Sequence, residues 1–249
     1  MTARIRLAAA LSVIAVVALA AGCASGPSSD SPTSSSMPSA APSSATDVGD
    51  DDGLGDDMDG TILDDGRAFA VLTWGSSSCV PTVADATGDG QTVVVALTDG
   101  DDADRVCTAD YAARASVGTL PEGVDPTQDI TLQVTYGDVT DDVDLDGDAS
   151  FSGVPGSPTE YTPSAGWIDD GMLVLLTWGS SSCPPVVESL EGSGSAGTAT
   201  FTTDDSQVCT MDMAPRATLL SFPDVSVEDD AFTLTLVGGG LDGTVAVRG

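Results

Sequence analysis

The chain has 249 residues, with 39 Asp and Glu against seven basic residues, all Arg, for a formal charge of −32 at pH 7. It contains no His, no Lys and no Asn. These absences exclude Ser-His-Asp and Cys-His nucleophiles, H-E-x-x-H zinc sites, Walker A loops and Lys Schiff bases. The charge repels phosphate, so nucleic acid is excluded as a partner. Any catalysis would have to run on carboxylates alone, as in a glycoside hydrolase.

Residues 1–23 follow the plan of an export signal. Arg4 and Arg6 form a basic start, residues 7–20 are apolar, and the stretch ends in L-A-A-G-C. The apolar part is short for a membrane span. The ending resembles the lipobox of bacterial lipoproteins, of the actinobacterial type. That resemblance implies a signal peptide at 1–22 and a diacylglyceryl thioether on Cys23, with palmitate-class acyl chains. It also implies that the membrane is a partner through this N-terminal lipid anchor, on the extracytoplasmic face of the cell membrane. One position departs from the pattern: Ala20 stands where Leu is usual, with Leu19 one residue further out. The alternative is cleavage after Ala18-Leu19-Ala20, which would release a soluble protein. Cysteine arithmetic favours the lipid. Four of the five Cys fall in matched pairs further along, and Cys23 is the odd one. Two or more acyl chains give firm anchoring where one is marginal.

Residues 23–62 comprise the lipidated Cys and a run of Ser, Pro, Ala and Thr that ends in Asp. Such a segment buries too little apolar surface to offset its ordering entropy, so a disordered, acidic linker is expected there. It would lift the folded part off the membrane.

The remainder repeats itself. L-T-W-G-S-S-S-C-V-P at 72–81 returns as L-T-W-G-S-S-S-C-P-P at 176–185, and C-T-A-D-Y-A-A-R at 107–114 returns as C-T-M-D-M-A-P-R at 209–216. A tandem array follows: one β repeat at 63–147, a Pro/Gly/Ser linker at 148–167, and a second β repeat at 168–249. The near-equal spacing argues for one disulfide per repeat, Cys79–Cys107 and Cys183–Cys209. Each would be worth ~3–4 kcal/mol on a chain-entropy estimate, and units this small need such a staple. Short apolar runs and alternating stretches such as I-T-L-Q-V-T-Y (130–136) predict strands throughout, five or six per repeat. The expected fold is all-β: two tandem small antiparallel sandwich or barrel repeats.

Candidate sites are few. Ser76, Ser77 and Ser78 have no base to activate them and read as a polar turn. Asp142, Asp144 and Asp146, with Gly147, match the first half of a calcium loop, but position twelve is Gly153. Aligning V-D-L with V-A-V of the second repeat turns the same run into a final strand with its Asp facing water. Arg114 and Arg216 recur four residues after Asp110 and Asp212. They read as structural, pairing with Asp or bonding loop carbonyls, or else as anion anchors. Trp74 and Trp178 are expected to pack on the disulfides, leaving Trp167 as the exposed aromatic. The expected function is binding, recognition or envelope structure, not catalysis, with an extracellular protein or glycan as unknown partner and no cofactor. Calcium-dependent adhesion or cation binding is the first alternative and a carboxylate glycosidase the second.

Overall fold

The structure is a computed structural model that describes residues 57–100, 106–204, 206–222 and 227–249. The leader, Cys23 and the linker up to residue 56 lie outside the described residues. The described chain is all-β and forms seven strands per copy in matching order. The first copy has β1 (Asp59–Leu63), β2 (Ala68–Gly75), β3 (Thr82–Asp89), β4 (Thr92–Thr98), β5 (Ala112–Thr119), β6 (Ile130–Tyr136) and β7 (Val139–Leu145). The second has β8 (Ser164–Asp169), β9 (Met172–Gly179), β10 (Val187–Ser193), β11 (Ala196–Phe201), β12 (Ala214–Ser221), β13 (Thr233–Gly238) and β14 (Gly243–Arg248).

Burial follows the strand period of two. On β6, Ile130, Leu132 and Val134 are fully buried while the residues between them face outward. Strand β2 is buried continuously because both of its faces are covered. Phe69 and Val71 enter the core of the first copy, closed by Val93, Val95, Leu132 and Val143 from the other sheet. Ala68, Ala70 and Leu72 point the other way, into a cluster shared with Ile168, Val174 and Leu176 of the second copy. On β9, Leu173 and Leu175 supply the second copy's own core.

This arrangement corrects the expected pair of antiparallel sandwich or barrel repeats in two respects. First, the sheets are mixed. β4 pairs with β6, β11 with β13 and β14 with β8 in parallel. After β4 the chain leaves to lay β5 against β2, then crosses back to place β6 beside β4 in the same direction. Second, the copies are fused. The order β1-β2-β5 and β3-β4-β6-β7 of the first copy becomes one seven-stranded sheet in the second, β10-β11-β13-β14-β8-β9-β12. Strands β1 and β8 approach so closely that a Cβ on Gly166 would run into the Thr61 hydroxyl.

Both copies begin a strand earlier than residues 63 and 168. β1 covers residues read as stalk, and β8 covers the end of the segment read as a linker. Short runs interrupted by a glycine, D-G-T-I-L and S-A-G-W-I-D, carry little strand signal. The rest of the 148–167 segment is tied down. Ser152 donates to the Asp65 carboxylate from its N–H (3.1 Å) and its hydroxyl (2.7 Å). Gly153 N–H donates to Asp65 O at 2.9 Å, and Gly156 N–H to Leu120 O at 3.0 Å. Arg248 pairs with Asp148 at 2.9 Å, and Phe151 is buried.

The shared cluster should make unfolding a single event. Leu176→Ala, at a position with no exposure, is expected to cost about 3 kcal/mol. Urea denaturation should shift as one transition seen by both near- and far-UV circular dichroism. Two separated transitions would contradict the shared core.

Candidate functional site

The duplicated motif is a knot around an arginine. Arg114, on β5, donates from Nη2 to Trp74 O at 2.9 Å and from Nη1 to Cys79 O at 2.8 Å. Arg216, on β12, does the same with Trp178 O at 2.9 Å and Cys183 O at 3.0 Å. The guanidinium thus bridges the two ends of the W-G-S-S-S-C segment. It rests against the glycine of that segment. A Cβ on Gly75 would lie 2.7 Å from Arg114 Cζ, and one on Gly179 2.8 Å from Arg216 Cζ. The glycine is needed because the cation occupies its side-chain space.

The serines close the knot from outside. Cys79 N–H donates to Ser76 O at 3.1 Å and Cys183 N–H to Ser180 O at 3.3 Å, so each run is a tight turn. Thr108 N–H donates to Ser78 Oγ, and Thr210 N–H to Ser182 Oγ, each at 3.0 Å. Asp110 accepts from Ser77 N–H at 3.3 Å, and Asp212 from Ser181 N–H at 3.1 Å. Both also accept from the threonine hydroxyl two residues earlier. The hydroxyls of Thr108 and Ser77 hold Asp110 down at about 2, and those of Thr210 and Ser181 hold Asp212 at about 2. The disulfides Cys79–Cys107 and Cys183–Cys209 pass through the same turns, with Cα separations of 5.6 and 5.7 Å.

Arg114 and Arg216 therefore bond carbonyls, and Asp110 and Asp212 serve the serine turn rather than pairing with them. Both arginines are committed to the scaffold. The trio Asp142, Asp144 and Asp146 is exposed along and just beyond β7, while Val143 and Leu145 between them are buried. Residues at i, i+2 and i+4 on a strand are spaced out along one face instead of converging on a point. Among the described residues no three acidic or cysteine side chains form a metal-binding group.

The expectation of an exposed Trp167 is overturned. Trp167 is buried, edge-on to Phe232 at 5.1 Å, with its indole N–H donating to Asp229 O at 3.3 Å. Trp74 and Trp178 pack on the shared cluster between the copies. Their outer contacts are Tyr111, stacked on Trp74 at 5.9 Å, and Tyr161, edge-on to Trp178 at 5.4 Å. Val106 and Val208, beside the disulfides, are 91% and 94% exposed. Nothing in the packing explains why both copies keep a valine there.

Sequence reasoning missed one feature altogether. Strands β5 and β12 border a cleft of about 680 Å³ between the two copies. Its walls include Pro81, Ala115 and Val117 from one copy and Pro185, Ala217 and Leu219 from the other. Among the described residues no carboxylate lines it, whereas Asp129, Asp144, Asp146 and Asp148 all line a second cleft of about 440 Å³. The signal was present only as small apolar residues at alternate positions of two strands, which reads as ordinary core.

Removing the clasp should loosen the whole knot. Arg216→Met is expected to cost about 2 kcal/mol, the worth of partly buried hydrogen bonds from a charged donor, and to lower the melting temperature by several degrees. Arg216→Lys should not restore it, because an ammonium cannot fork to two carbonyls in the plane of a guanidinium. Asp110 and Asp212 titrate lower in the folded chain than in the unfolded one. Their contribution is therefore complete above the ordinary carboxylate value of about 4 and disappears as pH falls towards about 2. Melting curves between pH 5 and 2 should show this loss, and the double change Asp110→Ala with Asp212→Ala should flatten that part of the profile.

Set against family models, curated proteins and solved structures, the chain matches none of them.

Proposed function

We propose that this is a lipid-anchored binding protein of the extracytoplasmic membrane face, holding its twofold β body away from the membrane on an acidic stalk. Its work is recognition or envelope structure, not catalysis. The observation that carries the reading is the cysteine pairing. Four of the five cysteines are consumed in Cys79–Cys107 and Cys183–Cys209, which leaves Cys23, at the end of the L-A-A-G-C leader, for a thioether. Structural disulfides form in oxidising compartments, so the two bonds and the leader agree on export. The chemistry of the body points the same way. It has no His or Lys, its two recurrent arginines are tied to carbonyls, and its duplicated serines hold up a turn. The partner is an extracellular protein or a glycan.

Expression in a bacterium with the lipoprotein pathway tests the anchor. The wild-type chain should partition with membranes, and its N-terminal peptide should begin at Cys23 with the mass of a diacylglyceryl adduct. Cys23→Ser should appear in the medium with the same melting temperature. A wild-type chain found soluble and beginning at residue 21, with a free Cys23 thiol, would show that the anchor is wrong.

A further inference from the structure

We infer that the gap between β7 and β1 is held open by charge and closes into the sheet order of the second copy when its carboxylates are neutralised, which makes it a proton-sensitive latch. The two copies supply the comparison. In equivalent strands, β3-β4-β6-β7 followed by β1-β2-β5 is the second copy's β10-β11-β13-β14-β8-β9-β12 with one junction missing. In the second copy that junction is parallel pairing of Val247 with Ala165 and of Arg248 with Gly166. Gly60 faces Val71 on β2 as Ala165 faces Leu175 on β9, so the matching pairs are Leu145 with Gly60 and Asp146 with Thr61. These residues are already neighbours, since a Cβ on Gly60 would run into Leu145 and Val143. Yet β7 and β1 belong to separate sheets. A cleft of about 440 Å³ opens with Gly60, Thr61 and Ile62 on one side and Asp144, Asp146 and Gly147 on the other.

What differs between the copies at this junction is charge. Asp59, Asp141, Asp144 and Asp146 stand where the second copy has Ser164, Gly243, Ala246 and Arg248. Continuing the second copy's register into the first would set Asp144 directly against Asp59, and like charges opposed across strands are unfavourable. Asp141 meanwhile accepts from Met58 N–H at 3.1 Å, so a carboxylate sits at the start of β1. Around Asp59 stand Asp57 on its own segment, Asp141 on β7 and Asp169 on β8, while β2 sets Leu72 opposite it. Partial burial first, then the charges of Asp169, Asp57 and Asp141, push the Asp59 carboxyl above the ordinary carboxylate range. At neutral pH its ionisation therefore costs the folded chain stability, and that cost lifts as pH falls through the raised folded value. Asp110 and Asp212, held at about 2, remain ionised over that interval. Acid thus reaches the seam before it reaches the knot.

Amide exchange, followed by NMR on the full mature chain carrying Cys23→Ser, tests the latch. Protection is taken relative to the intrinsic rate at each pH, with the closed junction at 164–166 and 246–248 as the internal reference. At about pH 7.5 the amides at 59–62 and 144–146 that do not bond to β2 or β6 should be poorly protected. At about pH 4.5, near the range where carboxylates titrate, their protection should rise about tenfold or more, as expected for amides that gain a strand partner. The fourfold change Asp59→Asn, Asp141→Asn, Asp144→Asn and Asp146→Asn should bring the same protection at neutral pH. A control that removes as much charge from exposed positions of the second copy, Glu188→Gln, Glu191→Gln, Asp229→Asn and Asp230→Asn, should leave these amides as in the wild-type sequence. Should acid precipitate the chain or the fourfold variant fail to fold, the other arm decides. The latch is overturned by amides already protected at neutral pH like those of the second copy, by no gain on neutralisation, or by a control that matches the fourfold variant. Each outcome would leave the Cys23 anchor untouched.

Discussion

A guanidinium lodged against a glycine, donating to the carbonyls at both ends of a disulfide-closed turn, is the interaction on which each copy is built. Taking a cation out of water is costly, and the bonds from the two Nη atoms offset that cost, although the Nε of each arginine is buried without a hydrogen-bond partner. Once Arg114 spans from Trp74 O to Cys79 O, the backbone between them must turn. The serines, the threonine and the low-titrating Asp110 then satisfy the groups that the turn exposes. The disulfide fixes the same turn to the strand that delivers the arginine. The repeated residues are one device, and their shared purpose explains why they recur together.

That device also sets how the copies meet. By pinning β5 to β2 and β12 to β9, it completes two sheet ends, one in each copy, whose facing sides carry Leu72, Val174 and Leu176. Neither face can stand in water, so the sheets close on each other, and the body gains a third apolar cluster that neither copy has alone. The fusion resolves the marginal size of each unit. Copies this short bury little surface individually, and the shared cluster adds to what each disulfide supplies.

The charge of the chain is distributed with the same logic. Carboxylates crowd the turns and outward strand positions such as Asp142 and Asp144, where water solvates them. Along β5 and β12 the seam between the copies is instead lined by small residues and the two carbonyl-bound arginines, with no carboxylate among the described residues.

Much of this could be read from sequence, and the boundary has a physical cause. The disulfides, the alternating strands β4, β6 and β7, the outward Asp142, Asp144 and Asp146, and the structural role of Arg114 and Arg216 all follow from spacing and local chemistry. Such features depend on period, charge and the internal repeat, which a linear chain displays. What escaped were β1 and β8, the parallel pairings, the burial of Trp167 and the cleft. Strand β1 is too short and glycine-interrupted to signal itself. Parallel pairing depends on where the chain returns after β5. Trp167 is buried because Phe222 and Phe232 reach it from distant strands, and Ala115 and Ala217 form a cleft only because two sheets face each other. The sequence by itself determined the local geometry of each copy, since each bond there lies within one recurring block of residues. Only the tertiary structure decided how the copies share a core and what surface they leave open, because those contacts join residues that no periodicity relates.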